Sequence, residues 1–200
     1  MSVLRKSVLA LGLTVSGLML SSCAARSQDV SLALSAYRGQ PVVVVSLRLN
    51  EAETNLTPMV VAGQADVNRT DDAASRMLYT VAGIKQGRMV IDVDWIELTT
   101  GHFYVGTATV PLGELERGPS GAVELMPVFA PGGVMVITSD PEPTSADDLR
   151  RKDVMRTCAK RYAQSDHDYR TTPNEIAGLV EALHSMGAPH LVPPCESSEP

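Results

Sequence analysis

Met89-Val90-Ile91-Asp92-Val93-Asp94-Trp95-Ile96-Glu97-Leu98 decides the fold class of this chain. Met89, Ile91, Val93 and Trp95 occupy alternate positions, with Val90, Asp92 and Asp94 between them. Side chains two apart on a strand share a face, so one face is apolar and the other acidic. Thr99-Thr100-Gly101 interrupts the pattern. His102 to Val110 then forms a second strand, with Phe103, Val105, Thr107 and Thr109 on one face. A three-residue hairpin loop ends on a left-handed residue, and Gly101 supplies it. Residues 89–110 are therefore predicted to form a β-hairpin.

The β signal extends outward from this hairpin, from Gln40 to Ser139. Pro41 to Leu49 begins as a continuous apolar run and ends alternating, as a strand buried on at least one face does. Met59 to Val67 and Arg76 to Ala82 are weaker strands, separated by Asp71-Asp72 and neighbouring polar residues. Ala122 to Phe129 and Val134 to Thr138 flank Ala130-Pro131-Gly132-Gly133, where proline presets the first turn dihedral and glycine allows the positive one. Short strands with frequent turns and no intervening helix predict a mainly β domain over 37–140, an antiparallel β-sandwich or small barrel.

Past Ser139 the composition changes. Asp140-Pro141-Glu142-Pro143-Thr144 reads as a linker, and Ser145 as the N-cap of a helix carrying Leu149, Val154, Cys158 and Tyr162. Thr172-Pro173-Asn174-Glu175 is a capping box with proline at the first helical position. Ile176, Leu179, Val180 and Leu183 follow on one face, and Gly187 and Pro189 end the segment. The expectation for 141–200 is a C-terminal two-helix appendage.

At the other end, Arg5 and Lys6 precede an uncharged run from Ser7 to Leu20, the layout of a secretory signal. Fourteen apolar residues are too few to span a bilayer, which takes about 20. Leu20-Ser21-Ser22-Cys23 resembles the lipobox of bacterial lipoproteins at every position. The resemblance implies a signal peptide over 1–22, a lipidated Cys23 and a tether over 23–36. It also implies more than one acyl chain, which stable anchoring requires. Ala24, where Asp would favour the inner membrane, points to the periplasmic face of the outer membrane. An uncut anchor and cleavage without lipid are the alternatives.

With Cys23 used by lipid, Cys158 and Cys195 remain as an even pair in an oxidising compartment. A disulfide between them closes a loop worth roughly 4 kcal/mol on the chain-entropy model. Two buried thiols are the alternative reading. Removing residues 1–22 takes Arg5 and Lys6 from the 17 basic residues and none of the 23 acids, so the formal charge goes from −6 to −8. That balance argues against nucleic acid as a partner.

Few residues suggest chemistry. Asp92 and Asp94 share a strand face about 7 Å apart, a spacing open to a carboxylate pair but equally that of a solvated polar face. Asp166-His167-Asp168 lies beside no recognisable nucleophile, and the four histidines form no metal-ligand spacing. No catalytic residue, metal or cofactor is assigned. Asp92, Asp94 and Tyr104 are the candidate partner-binding residues.

Asp94-Trp95-Ile96-Glu97-Leu98, Phe103-Tyr104-Val105-Gly106 and Ala130-Pro131-Gly132-Gly133-Val134 together resemble an uncharacterised family of Gram-negative lipoproteins. Its members share a W-x-x-L strand, an F-Y-x-G return strand and a P-G-G-V turn. The resemblance covers residues 89–138 and implies an envelope lipoprotein that binds something. It supplies no catalytic residues. The expected function is a non-enzymatic protein-binding module in the periplasm, specifically an immunity protein against an envelope-targeted effector, or alternatively a subunit of an envelope or secretion assembly.

Overall fold

In a computed structural model, which describes residues 26–37, 40–56, 58–62, 76–139, 152–169 and 195, the alternating segment forms strand β7 (Arg88–Glu97). It pairs antiparallel with β8 (Phe103–Pro111), with Trp95 opposite Tyr104 and Val93 opposite Gly106. Gly101 closes the turn at φ +74°, donating its N–H to the Glu97 carbonyl at 2.8 Å. On its other side β7 pairs with β3 (Val42–Leu49), which also carries the short β4 (Ala52–Glu53) and β5 (Met59–Val61). With β12 (Lys160–Arg161) on β8, these strands make one six-stranded sheet, called sheet 2 below.

Sheet 1 has the order β11-β10-β9-β1-β6. Its strands are β1 (Arg26–Leu32), β6 (Met77–Ile84), β9 (Val123–Ala130), β10 (Val134–Ser139) and β11 (Lys152–Cys158), with β2 (Ser35–Ala36) also on β9. The expected hairpin at Pro131-Gly132-Gly133 joins β9 to β10, and both glycines take positive φ. The two sheets form a sandwich and do not close into a barrel.

Three expectations are corrected. Residues assigned to the tether form β1 and β2, because Val30, Leu32 and Ala36 are fully buried in sheet 1. The sheet is mixed rather than purely antiparallel, since β1 and β2 both run parallel to β9 in one register. Their ladder lapses at Ala33 and Leu34 for a reason visible in β9. Leu125 and Phe129 accept hydrogen bonds from the Ala33 and Tyr37 amides, so β9 turns its odd-numbered backbone groups toward β1 and β2. Pro127 stands between them with no N–H to donate.

The third correction is at the C-terminal side. Among the described residues there is no α-helix, and part of the first expected helix is β11, antiparallel to β10. The stripe of Val154, Cys158 and Tyr162 suggested a helix, yet Met155 and Thr157 alternate inward at period two. The open edge of β10 supplies backbone partners that override the local helix signal. The second expected helix lies outside the described residues. At Ala159, whose N–H bonds to the Gly133 carbonyl at 2.8 Å, the chain crosses from sheet 1 to sheet 2 and continues as β12. Such a sheet-switching strand closes one side of a sandwich.

Trp95 is at the centre of the core, fully buried between the sheets. Its ring stacks on Tyr104 at 5.7 Å between centroids and meets Phe129 of sheet 1 at 5.1 Å. Gly106 makes room for it: a Cβ there would stand 2.8 Å from Trp95 Cζ3. Sheet 1 is buried on both sides along β9 and β10, every residue of which is buried. Its inner face joins the Trp95 core, whereas Ala33, Met126, Val128, Ala130, Val134 and Val136 form a second apolar cluster.

Candidate functional site

Two regions carry the polar groups that the fold arranges most closely. The first is the outer face of sheet 2. The pleat of β7 sends Met89, Ile91, Val93 and Trp95 into the core and leaves Asp92 and Asp94 half-buried on the other side, as the alternation requires. Asp92 accepts a hydrogen bond from Thr107 Oγ1 at 2.6 Å, and Asp94 accepts one from Ser46 Oγ at 2.7 Å. Cross-strand neighbours thus fix both carboxylates, with Arg48 opposite Asp92.

Tyr104, the third candidate for partner binding, does not join them. It lies on the inward face of β8 with only 6% of its surface exposed, so it is a core residue and not an epitope. The outward residues of β8 are Phe103, Val105, Thr107 and Thr109, the four expected to share a face. Tyr104 instead belongs to the second region, a polar network where β7 turns into β8.

That network starts from Glu97. It is in phase with Met89, Ile91, Val93 and Trp95, so the pleat directs a carboxylate inward, and it is 3% exposed. Its Oε1 accepts the Gly133 N–H at 3.0 Å, joining sheet 2 to the β9–β10 turn, and its Oε2 accepts the Thr100 hydroxyl at 3.0 Å. A Cβ on Gly133 would stand 2.5 Å from the Tyr104 ring, so glycine lets the turn approach closely enough to make this bond. Burial pushes the Tyr104 phenol up to about 12, and the nearby Glu97 charge adds to the shift, so the phenol is neutral at physiological pH. Its oxygen lies 3.4 Å from His102 Nδ1.

The chain after β12 straps this end. Tyr162 N–H bonds to the Phe103 carbonyl, and Asp166 Oδ1 accepts the Phe103 N–H at 2.9 Å. Asp166 also pairs with Arg161, whose hydrogen bond holds the carboxyl below the usual carboxylate range against the opposing effect of desolvation. His167 donates its backbone N–H to the Gly101 carbonyl at 2.8 Å and sets its ring 4.4 Å from Tyr169. Asp166-His167-Asp168 is therefore part of a strap whose first carboxylate is engaged by Phe103 and Arg161. The inward phase of Glu97 was a sequence signal for this network; the Arg161–Asp166 pair had none.

A second buried carboxylate, Glu124 on β9, is 4% exposed and is paired with Arg76. Cys158 and Cys195 are joined in a disulfide with their Cα atoms 5.6 Å apart. Cys23 lies outside the described residues. Comparison with protein-family models, curated proteins and solved structures finds no match to the chain.

Proposed function

We propose that this protein is a lipid-anchored periplasmic module that binds a protein partner and has no catalytic role, with the outer face of sheet 2 as its contact surface. The observation that carries this reading is the fixing of Asp92 and Asp94 by Thr107 and Ser46. Carboxylates already ordered on a rigid sheet cost little further entropy on binding, and their charge steers a basic partner. The anchor rests on the Leu20-Ser21-Ser22-Cys23 string, and the Cys158–Cys195 disulfide suits an oxidising compartment. A specific form is an immunity protein that occupies an envelope-targeted effector delivered by a neighbouring cell.

Affinity capture from envelope extract with the full chain tests the surface. The Asp92→Arg/Asp94→Arg variant is expected to lose the captured partner while keeping native Trp95 fluorescence; unchanged capture refutes the surface. Labelled palmitate should be incorporated by the parent protein and not by Cys23→Ala. For the immunity form, a strain lacking the protein should die when challenged with the effector encoded beside it. Equal survival, together with co-purification in a large membrane assembly, would instead favour a structural subunit.

A further inference from the structure

The β6–β7 connection sets two cations opposite each other. Lys85 and Arg88 close a two-residue turn: the Arg88 N–H bonds to the Lys85 carbonyl at 2.9 Å, and the Lys85 N–H to the Arg88 carbonyl at 3.4 Å. Gln86 and Gly87 between them take φ +52° and +70°, the left-handed pair that so tight a hairpin turn requires. All four residues are exposed. The turn is also tied at its base, where the Leu112 N–H bonds to the Gly87 carbonyl at 2.9 Å. The tip is therefore a fixed backbone shape carrying one cation on each arm.

Residues paired across two strands project to the same side, and like charges directly opposite destabilise the pairing. The fold does nothing to relieve this, because neither Lys85 nor Arg88 is ion-paired among the described residues. Arg26, exposed at the start of β1 and opposite Ile84, adds a third cation without an ion pair next to the turn. Glu51 after β3 and Glu114 after β8 are the acids of the adjoining turns; both are exposed, and neither is bonded to any of the three cations. In a chain whose formal charge is −6, this tip runs against the overall balance.

The tip is also the part of the sandwich closest along the chain to the proposed lipid. Arg26 is three positions after Cys23, a reach of at most about 10 Å. We infer that the Lys85–Arg88 turn, together with Arg26, is a headgroup contact: it touches anionic phospholipid of the membrane that holds the Cys23 lipid, and it stands the sandwich upright there. The inference rests on the anchor of the proposed function and is independent of the contact surface on sheet 2. Lys and Arg are drawn to an anionic bilayer within a Debye length, about 10 Å at 0.1 M salt, which matches the reach from Cys23 to Arg26. Lipid phosphates then relieve the like-charge opposition that the protein's own acids leave in place.

Fluorescence quenching in vesicles tests the contact. The full acylated chain is labelled at Gln86→Cys in the turn or, as a control, at Gln164→Cys, an exposed position on the strap at the Glu97 end. It is reconstituted into phosphatidylcholine vesicles carrying a headgroup quencher, with or without about 30 mol% phosphatidylglycerol. The Gln86 label is expected to be quenched about threefold more with phosphatidylglycerol than without, and the Gln164 label equally in both. Salt at about 1 M, where the Debye length is about 3 Å, should abolish the difference, as should the Arg26→Gln/Lys85→Gln/Arg88→Gln variant, while the protein still floats with the vesicles. An unchanged urea midpoint and Trp95 fluorescence show that this variant is folded. Equal quenching of Gln86 in the two vesicles overturns the inference and leaves the anchor standing, because the tether alone then sets the distance. Flotation of Cys23→Ala as complete as that of the parent refutes the anchor itself, and the inference falls with it.

Discussion

Gly106→Ala should destabilise the protein through a single ring. The added methyl would stand 2.8 Å from Trp95 Cζ3 and 3.0 Å from Cη2, and 3.4 Å from the Ala159 Cβ. Comfortable carbon–carbon separation is about 3.5–4.0 Å, so the indole or the strand must move by close to 1 Å. Trp95 has nowhere to go, being fully buried and wedged against Tyr104 and Phe129. Overpacking of this kind costs roughly 1–3 kcal/mol, offset by about 0.4–1 kcal/mol from replacing glycine in the unfolded chain. The net loss of about 1–2 kcal/mol corresponds to a Tm lower by roughly 2–8 °C at this chain length. The two clashing atoms belong to the outer ring of the indole, which phenylalanine lacks. Trp95→Phe is itself expected to destabilise by leaving a cavity, although it also removes an indole N–H that is buried without a partner among the described residues. In the Trp95→Phe background Gly106→Ala should become neutral or slightly stabilising, a coupling of about 2 kcal/mol. Urea unfolding of the four proteins, followed by far-UV circular dichroism, measures it. A neutral Gly106→Ala, or additive effects in the pair, would refute the steric account.

The polar network gives three further expectations. Glu97→Ala strips the acceptor from the buried Gly133 N–H and should cost about 1–3 kcal/mol in urea unfolding, while Glu97→Gln, which keeps one acceptor oxygen, should cost less. Tyr104 titrates later in the folded state than in the unfolded one, so its contribution is complete below about pH 10 and is lost as pH rises through about 12; Tyr104→Phe should flatten that alkaline limb of the stability curve. Asp166 has a lowered folded-state pKa, so its contribution is present above the ordinary carboxylate range and lost as pH falls through the lowered value. Asp166→Asn should therefore reduce Tm at neutral pH and match the parent in strong acid, as thermal scans across the acid range would show.

The hairpin at residues 89–110 was legible because period-two alternation and a loop glycine encode it locally, and the fold keeps both. The W-x-x-L and F-Y-x-G strings now have a physical content, since Trp95 fits only where Gly106 lacks a side chain. What the sequence hid was non-local. Arg26 to Ala36 was read as a tether because the signal that makes it a strand is its pairing with β9, about ninety residues away. Lys152 to Cys158 carried a plausible helix stripe and became a strand because β10 offered an edge. Tyr104 was placed on a surface because its aromatic ring and hydroxyl suit an epitope, although its phase on β8 opposes that of Phe103 and Val105. Asp92 and Asp94 stayed where alternation put them; the hydroxyls that fix them come from two neighbouring strands and no local pattern announces such partners.

The start of β1 at Arg26 has a consequence for geometry at the membrane. If Cys23 carries the lipid, Arg26, where β1 begins, is three positions on, a reach of at most about 10 Å. Arg26 is opposite Ile84, just before the Lys85–Arg88 turn into β7, so this end of the sandwich would rest close to the headgroups. The Glu97 end of β7, nine residues further along a strand, would stand about 30 Å higher. A molecule moored in that way would have almost no search radius of its own. It would meet only what already moves along the membrane surface or is brought there, and would show an arriving molecule its strapped, Glu97-bearing end before its other faces.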